Sequence, residues 1–182
     1  MEMNFCRRCG SALKSDGEGF RCQNGHLLFS NPAPTSGLFL LMPDKQTVVM
    51  SRRGIEPRKG ELDCFGGFVD SGETFEECIY RELQEEAGLS KDDYSPISYL
   101  CSATSGYPYG GEDLIVLGVN YFAILKPEAQ PKANDDVAEI VNMNIEDIDL
   151  NSITSDAVRA GLVALRKYLK MEATDEFWPR RL

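Results

Sequence analysis

Three glutamates about one helical turn apart are the residues in this sequence best suited to chemistry. Glu82, Glu85 and Glu86 stand at positions i, i+3 and i+4 of a predicted helix and therefore share one face. The acids lie at the edge of an apolar stripe, where mutual repulsion exceeds that on a fully exposed helix. A divalent cation such as Mg²⁺ relieves this repulsion, because it takes oxygen ligands and keeps positions open for phosphate oxygens. An ordinary solvated acidic face is the alternative, but Gly66-Gly67 ahead of the helix favours close approach of a ligand or metal.

A second group of metal-ligating residues lies near the N-terminus. Cys6-x2-Cys9 is followed after twelve residues by Cys22-x3-His26, a spacing typical of a zinc ribbon with a structural, four-ligand Zn²⁺. The alternative is free thiols beside a surface histidine. Residues 1–30 contain too few aliphatic side chains for a core, so metal binding would supply the folding free energy. We therefore predict a zinc ribbon over 1–30 and a second domain over 31–182.

Alternating strand and helix patterns predict the elements that must position these residues. Strands are expected at 38–42, 47–50, 97–102, 114–125 and 138–143, with 114–125 in the centre of the sheet, and helices at 74–87 and 155–171. Residues 31–37 contain two prolines and a glycine and are interpreted as a linker or turn. Thr74 with Glu77 forms a capping box, and Gly88 ends the first helix. The pattern indicates an α/β protein with a mixed sheet covered by helices.

From Gly67 to Leu89 the sequence resembles the Nudix box at nine defined positions. These are Gly67, Glu73, Arg81, Glu82, Leu83, Glu85, Glu86, Gly88 and Leu89. The resemblance implies a Nudix-type α/β/α sandwich over roughly residues 35–170. It also implies a hydrolase that uses Mg²⁺ or Mn²⁺ to split the pyrophosphate linkage of a nucleoside diphosphate derivative.

Carried over by position, the resemblance assigns roles to single residues. Glu82, Glu85 and Glu86 would bind the metal, with the first of them or a glutamate elsewhere as general base. Gly67 would offer its carbonyl to a metal, and a Glu73–Arg81 ion pair would hold the loop against the helix. Glu139 falls where many relatives place a further glutamate near the metals, and Glu112 competes for that role. Phe65 and Leu62 depart from the family's usual proline and aromatic residue before the box.

Two further segments carry weaker indications of substrate binding. The first, residues 51–60, has Arg52, Arg53, Arg58 and Lys59 against Glu56 alone, so it is either a pyrophosphate-binding loop centred on Arg53 or ordinary surface charge. The second, Ser105–Gly111, could stack a base on Tyr107 or Tyr109, or could be a tight turn between strands. A zinc ribbon before a Nudix domain resembles the NADH pyrophosphatase branch, although the motif of that branch after the box is only partly matched.

The net charge of −10, from 19 basic and 29 acidic residues, disfavours long nucleic acids as partners and leaves a small nucleotide as the expected substrate. No segment has the ~20 apolar residues needed to span a membrane, and no apolar signal core is seen, so we expect a cytoplasmic protein without a membrane partner. Trp178 near the C-terminus could pack on its own chain or contact a second subunit in a homodimer. Besides a hydrolase, the sequence allows a catalytically idle, nucleotide-sensing Nudix domain. A zinc-ribbon nucleic-acid binder fits the charge poorly.

Overall fold

The computed structural model describes residues 3–17 and 19–173, with side chains up to Met171. Trp178, for which the sequence suggested a packing or subunit contact, lies outside the described residues. Neither of the described helices is long and apolar enough to cross a membrane.

The N-terminal segment forms a small sheet of its own. Strands β1 (Leu13–Ser15), β2 (Phe20–Cys22) and β3 (Leu27–Leu28) pair antiparallel in that order. Its buried side chains are Cys6, Cys22 and Leu28, with Met3 and Leu13 packed against them. So few apolar residues make a core much smaller than that of the large sheet.

The remaining strands form one mixed sheet in the order β10–β5–β4–β9–β8. Their bounds are β4 Ala33–Leu41, β5 Thr47–Arg53, β6 Leu62–Asp63, β7 Phe65–Phe68, β8 Ser98–Tyr109, β9 Glu112–Ile124 and β10 Val137–Asn144. Strands β4 and β9 are parallel, whereas β6 pairs antiparallel with β5, and β7 with β4. The predicted mixed sheet is confirmed.

Helices cover both faces of this sheet. Helix α1 (Phe75–Ala87) packs Ile79 and Leu83 into the core on one face, and α2 (Asp156–Ala173) packs Leu162 and Leu165 into the core on the other. Strand β4 serves both cores, because its successive side chains point to opposite faces: Leu38 and Leu40 belong to the first, Phe39 and Leu41 to the second. The result is the expected α/β/α sandwich.

The start of helix α1 follows the sequence prediction. The Thr74 hydroxyl accepts the Glu77 N–H, and the Glu77 carboxylate accepts the Thr74 N–H at 2.8 Å, which completes the capping box. Gly88 ends the helix in a left-handed conformation and donates its N–H to the carbonyls of the last turn. Both ends of the helix that carries the three glutamates are therefore capped.

Two sequence predictions about the sheet were wrong. Residues 31–37 are not a linker, because strand β4 begins at Ala33 and pairs there with both β9 and β7. Pro34 lacks an N–H, but its carbonyl still accepts the Val69 N–H at 3.1 Å, so the proline does not end the strand. Strand β4, and not β9, is the central strand of the sheet.

Candidate functional site

A cavity of about 390 Å³ lies where the loop before α1 meets the ends of several strands. At one end it is lined by acidic residues of α1, and at the other by aromatic and basic side chains from the strands. We refer to these as the carboxylate end (Gly67, Glu82, Glu85, Glu86 and Asp136) and the aromatic end (Arg53, Asp63, Phe68, Tyr107 and Tyr109).

Glu86 is the most deeply buried member of the carboxylate end. Only 5% of its surface is exposed, and its Oε2 accepts the Gly66 N–H at 2.8 Å. The pKa of Glu86 is raised to about 10, chiefly by burial and also by the charges of Asp136 and Glu82, while the Gly66 N–H opposes the shift. Buried acids in such close proximity are costly without a cation, so this end fits a bound divalent metal.

The backbone at Gly67 lies directly against Glu82. A Cβ atom placed on Gly67 would overlap Glu82 Oε1, so no larger residue fits here without moving the carboxylate. Burial also raises the pKa of Glu82, although its hydrogen bond to Arg81 partly opposes the shift. The structure thus brings the Gly67 backbone together with the Glu82 side chain.

Arg81 connects the loop before α1 to the carboxylates. Its guanidinium donates two hydrogen bonds to Glu73, at 2.8 and 3.0 Å, and further ones to Glu82 at 2.7 Å and Glu85 at 3.1 Å. It also donates to the Phe68 carbonyl at 3.1 Å. The hydrogen bonds from Arg81 lower the pKa of Glu73 to about 2. The Glu73–Arg81 pair implied by the resemblance is present, and it holds the loop on the helix.

Glu139 does not join the carboxylate end. Its side chain is 62% exposed and pairs with Arg52 at 3.1 Å on the neighbouring strand. A bulge between Val137 and Glu139 disturbs the start of β10, and Asp136, just before this strand, lines the cavity instead. The expectation that Glu139 lies near the metals is therefore not met.

The aromatic end contains three rings in mutual contact. Phe68 meets Tyr107 edge-on with centroids 5.6 Å apart, and Tyr107 stacks on Tyr109 at 6.0 Å. The two tyrosines lie on strand β8, and the turn to β9 is confined to Gly110-Gly111, so the segment is a hairpin and not a long loop. Tyr109 lines the cavity and is 57% exposed, so part of its side chain is accessible to a ligand.

Arg53 lies at the end of strand β5, whereas the sequence had placed it in a loop. Its guanidinium pairs with Asp63 at 3.2 Å and, across to the carboxylate end, with Asp136 at 3.9 Å. It also donates to the Tyr107 hydroxyl at 3.5 Å and to the Pro57 carbonyl at 2.8 Å. Arg58 donates to the Gly106 carbonyl, with its guanidinium 5.5 Å from the Tyr107 ring centroid. Two cationic groups therefore flank the aromatic rings.

Sequence reasoning missed Asp63 and Asp136. Asp136 stands three residues before Glu139, the residue that the sequence analysis favoured. The available signal for Asp136 was the strand alternation ahead of the buried Val137. Asp63 had no local signal, because strand pairing of β6 with β5 places it beside Arg53.

The second candidate metal site lies in the N-terminal sheet. The ligand atoms of Cys6, Cys9, Cys22 and His26 all lie within 4.8 Å of one another. Hydrogen bonding to Ser11 lowers the pKa of Cys9 to about 5, which favours the thiolate that binds metal. Gly10 and Gly25 adopt positive φ angles in the turns beside the ligands, as the spacing predicted. This group could hold a zinc ion.

Residues 31–164 match the NUDIX domain family. The match covers most of the chain, which therefore belongs to the Nudix family of hydrolases.

Two solved structures are similar in fold. A NUDIX hydrolase from Nitrosomonas europaea is 20% identical, with a TM-score of 0.64 over 94% of this chain and 93% of that one. The NUDIX domain of Shewanella oneidensis NrtR, solved with ADP ribose, is 19% identical, with a TM-score of 0.57 over 79% of this chain and 90% of that one.

Curated relatives match over shorter stretches. A mitochondrial NAD(P)H pyrophosphatase from Mus musculus is 27% identical over 114 residues, 62% of this chain and 30% of the relative. An NAD-capped RNA hydrolase from Vibrio parahaemolyticus is 25% identical over 87 residues, 48% of this chain and 34% of the relative. The chain thus spans about a third of the length of these relatives.

Proposed function

We propose that the protein is an Mg²⁺- or Mn²⁺-dependent hydrolase that cleaves the pyrophosphate linkage of a nucleoside diphosphate derivative. The substrate would be a dinucleotide such as NADH, ADP-ribose or a nucleotide sugar. The observation that carries this proposal is the two-ended cavity, in which buried carboxylates face a set of aromatic and basic side chains.

Glu82, Glu85 and Glu86, with the Gly67 carbonyl, would hold the metal. Their donor set consists of oxygens alone, which suits Mg²⁺ or Mn²⁺ better than a softer ion. When bound, the metal would neutralise phosphate oxygens and lower the pKa of an attacking water. Arg81 and Glu73 would hold the carboxylates and the loop before α1 in fixed positions relative to each other.

A general base must take a proton from that water. Glu82 and Asp136 are the two candidates, because both line the cavity beside Glu86. Removal of the proton makes the water oxygen nucleophilic enough to attack phosphorus, and the departing phosphate carries away the electrons of the broken P–O bond.

The aromatic end would hold a ring of the nucleotide. Tyr107 and Tyr109 stack on each other, and a nucleotide ring would extend this stack, while Arg53 would supply a positive charge near the phosphates. Relatives named for NAD(P)H and NAD-capped RNA support a dinucleotide, in which one ring would occupy this end while the pyrophosphate lies at the carboxylates.

Hydrolysis assays across NADH, ADP-ribose, nucleotide sugars, capped RNA and oxidised nucleoside triphosphates test this proposal. We expect Mg²⁺-dependent turnover of at least one pyrophosphate of this group, with two nucleoside monophosphate-type products from a dinucleotide. Tight binding without turnover of any compound would instead support the nucleotide-sensing regulator.

We also propose that residues 1–30 form a zinc ribbon, with Cys6, Cys9, Cys22 and His26 as ligands, in front of a Nudix domain over 31–182. Elemental analysis of purified protein should give one zinc per chain. A Cys9→Ser variant should lose that zinc, whereas Cys101→Ser, on strand β8, should keep it. Zinc-free wild-type protein with an ordered N-terminal sheet would contradict the proposal.

A further inference from the structure

Asp63 is a second acidic group in the cavity, separate in sequence from the helix glutamates. It lines the aromatic end from the short strand β6, and only 21% of its side chain is exposed. Neither the metal-binding role nor the stacking role of the cavity uses Asp63 directly, and its ion-pair partner at this end is Arg53, at 3.2 Å.

The hydrogen bonds of Asp63 leave it able to accept more. Oδ1 accepts the Cys64 N–H at 2.9 Å, and Oδ2 accepts one N–H of Arg53 at 3.2 Å. A carboxylate has about four lone-pair sites, so two of them remain for a ligand. The backbone bond fixes the carboxylate in place, which reduces the conformational entropy lost when a ligand binds.

Arg53 supplies donors beside this acceptor. Its Nε–H is held by the Pro57 carbonyl; one terminal nitrogen faces Asp63, and the other faces the Tyr107 hydroxyl and, at 3.9 Å, Asp136. A carboxylate acceptor and a guanidinium donor thus stand together beside the stacked tyrosines. This pairing complements a flat ring with a donor and an acceptor on one edge.

We infer that Asp63 is a specificity-determining residue that accepts a hydrogen bond from an exocyclic amino or amide group on the ring bound at the aromatic end. Two rings of a pyridine dinucleotide carry this chemistry, namely the carboxamide of nicotinamide and the amino group of adenine. The inference rests on the proposed function for its substrate class. It adds the group on the ring, an exocyclic amino or amide group, that the site recognises.

Deaminated analogues test which group is read. In nicotinic acid adenine dinucleotide an oxygen anion replaces the amide NH₂, and in nicotinamide hypoxanthine dinucleotide a carbonyl oxygen replaces the adenine amino group. The wild-type carboxylate should repel the altered edge, so kcat/KM should fall by about tenfold or more for one of the two, relative to NAD. The analogue that is rejected identifies the ring.

Asp63→Asn provides the decisive variant. Its amide keeps an oxygen for the Cys64 N–H but can donate to the altered edge, so the preference for NAD should shrink to within about threefold. Asp147→Asn, the same change at an exposed residue outside the cavity, should keep the wild-type preference. A purely structural role for Asp63 would lower kcat/KM for all three dinucleotides alike, and this unchanged ratio would overturn the inference.

Calorimetric binding of the three dinucleotides separates this inference from the proposed function. If the wild-type protein binds the three dinucleotides selectively and Asp63→Asn does not, the inference is supported even when no compound is hydrolysed. The lack of hydrolysis would then refute the proposed function alone. Turnover with equal ratios in both proteins overturns the inference and leaves the proposed function intact. Absence of both binding and turnover overturns both.

Discussion

The two ends of the cavity are built in different ways. The carboxylate end comes mainly from one continuous stretch, in which strand β7 places Gly67 and helix α1 places Glu82 to Glu86. The aromatic end draws Arg53 and Asp63 from the consecutive strands β5 and β6, and Tyr107 from strand β8, which is distant in sequence. The first arrangement suits a chemistry common to every substrate, and the second suits discrimination between substrates. Substitutions at the two ends should therefore impair the enzyme activity in different ways.

The largest expected effect is at the buried glutamate. Glu86→Gln should lower kcat by about a hundredfold or more for every substrate, because it removes a charge that the metal requires. Steady-state assays with saturating Mg²⁺ check this, and Glu128→Gln on an exposed loop is the matched control. A near-wild-type rate in Glu86→Gln, and likewise in Glu82→Gln, would remove the carboxylate end from the chemistry.

A smaller loss is expected at Gly67. Gly67→Ala puts a methyl group where Glu82 Oε1 now lies, so the carboxylate must shift and the Mg²⁺ concentration for half-maximal activity should rise about tenfold. Gly106→Ala, at a glycine with open space around its Cβ position, should leave this concentration unchanged. Equal behaviour of the two variants would show that the close approach at Gly67 has no part in metal binding.

The aromatic end should change KM and leave kcat largely intact. Stacking of a base on an aromatic ring contributes ~1–3 kcal/mol, so Tyr107→Leu should raise KM about tenfold. Tyr99→Leu, at a 61% exposed tyrosine on the same strand, should leave KM unchanged. If Tyr107→Leu lowered kcat as much as Glu86→Gln does, the division between the two ends would not hold.

A separate effect of the buried glutamate concerns stability and not turnover. The pKa of Glu86 is about 10 in the folded, metal-free protein and ~4.3 in an unfolded chain. The contribution of Glu86 to folding stability is therefore greatest below the pKa of the unfolded chain. It falls as the pH rises towards the pKa of the folded protein, since only the unfolded chain releases this proton readily. The glutamine in Glu86→Gln cannot ionise, so this variant should have a higher melting temperature than the wild type at pH 8, by ~2–4 °C for each kcal/mol gained in the free energy of unfolding. The increase should be smaller at pH 5.

Thermal unfolding in magnesium-free buffer, followed by circular dichroism, measures this difference. Glu128→Gln should show the same pH dependence as the wild type. An equal change in melting temperature at both pH values would mean that the Glu86 carboxyl is not desolvated.

The elements that were predicted well are those with local signals. Thr74, Glu77 and Gly88 define the ends of α1 because caps act within one turn of the chain. The short spacings within the Cys6–Cys9 and Cys22–His26 pairs likewise bring ligands together without knowledge of the sheet.

The errors arose where distant segments decide. Two strands pair with residues 33–37 and override the local preference of proline and glycine for a turn. Asp136, just before the bulge at the start of β10, lines the cavity where Glu139 was expected, and the pairing of β6 with β5 brings Asp63 to Arg53. The pairings of β4 and of β6 have no signature in the residues next to them.

Mn²⁺ binding, followed by electron paramagnetic resonance, tests most directly the claim that the carboxylate end holds the catalytic metal. The wild type should bind Mn²⁺ and release it to competing Mg²⁺, Tyr107→Leu should bind it equally well, and Glu86→Gln should bind it at least about tenfold more weakly. Equal Mn²⁺ affinity in the wild type and in Glu86→Gln would contradict the account.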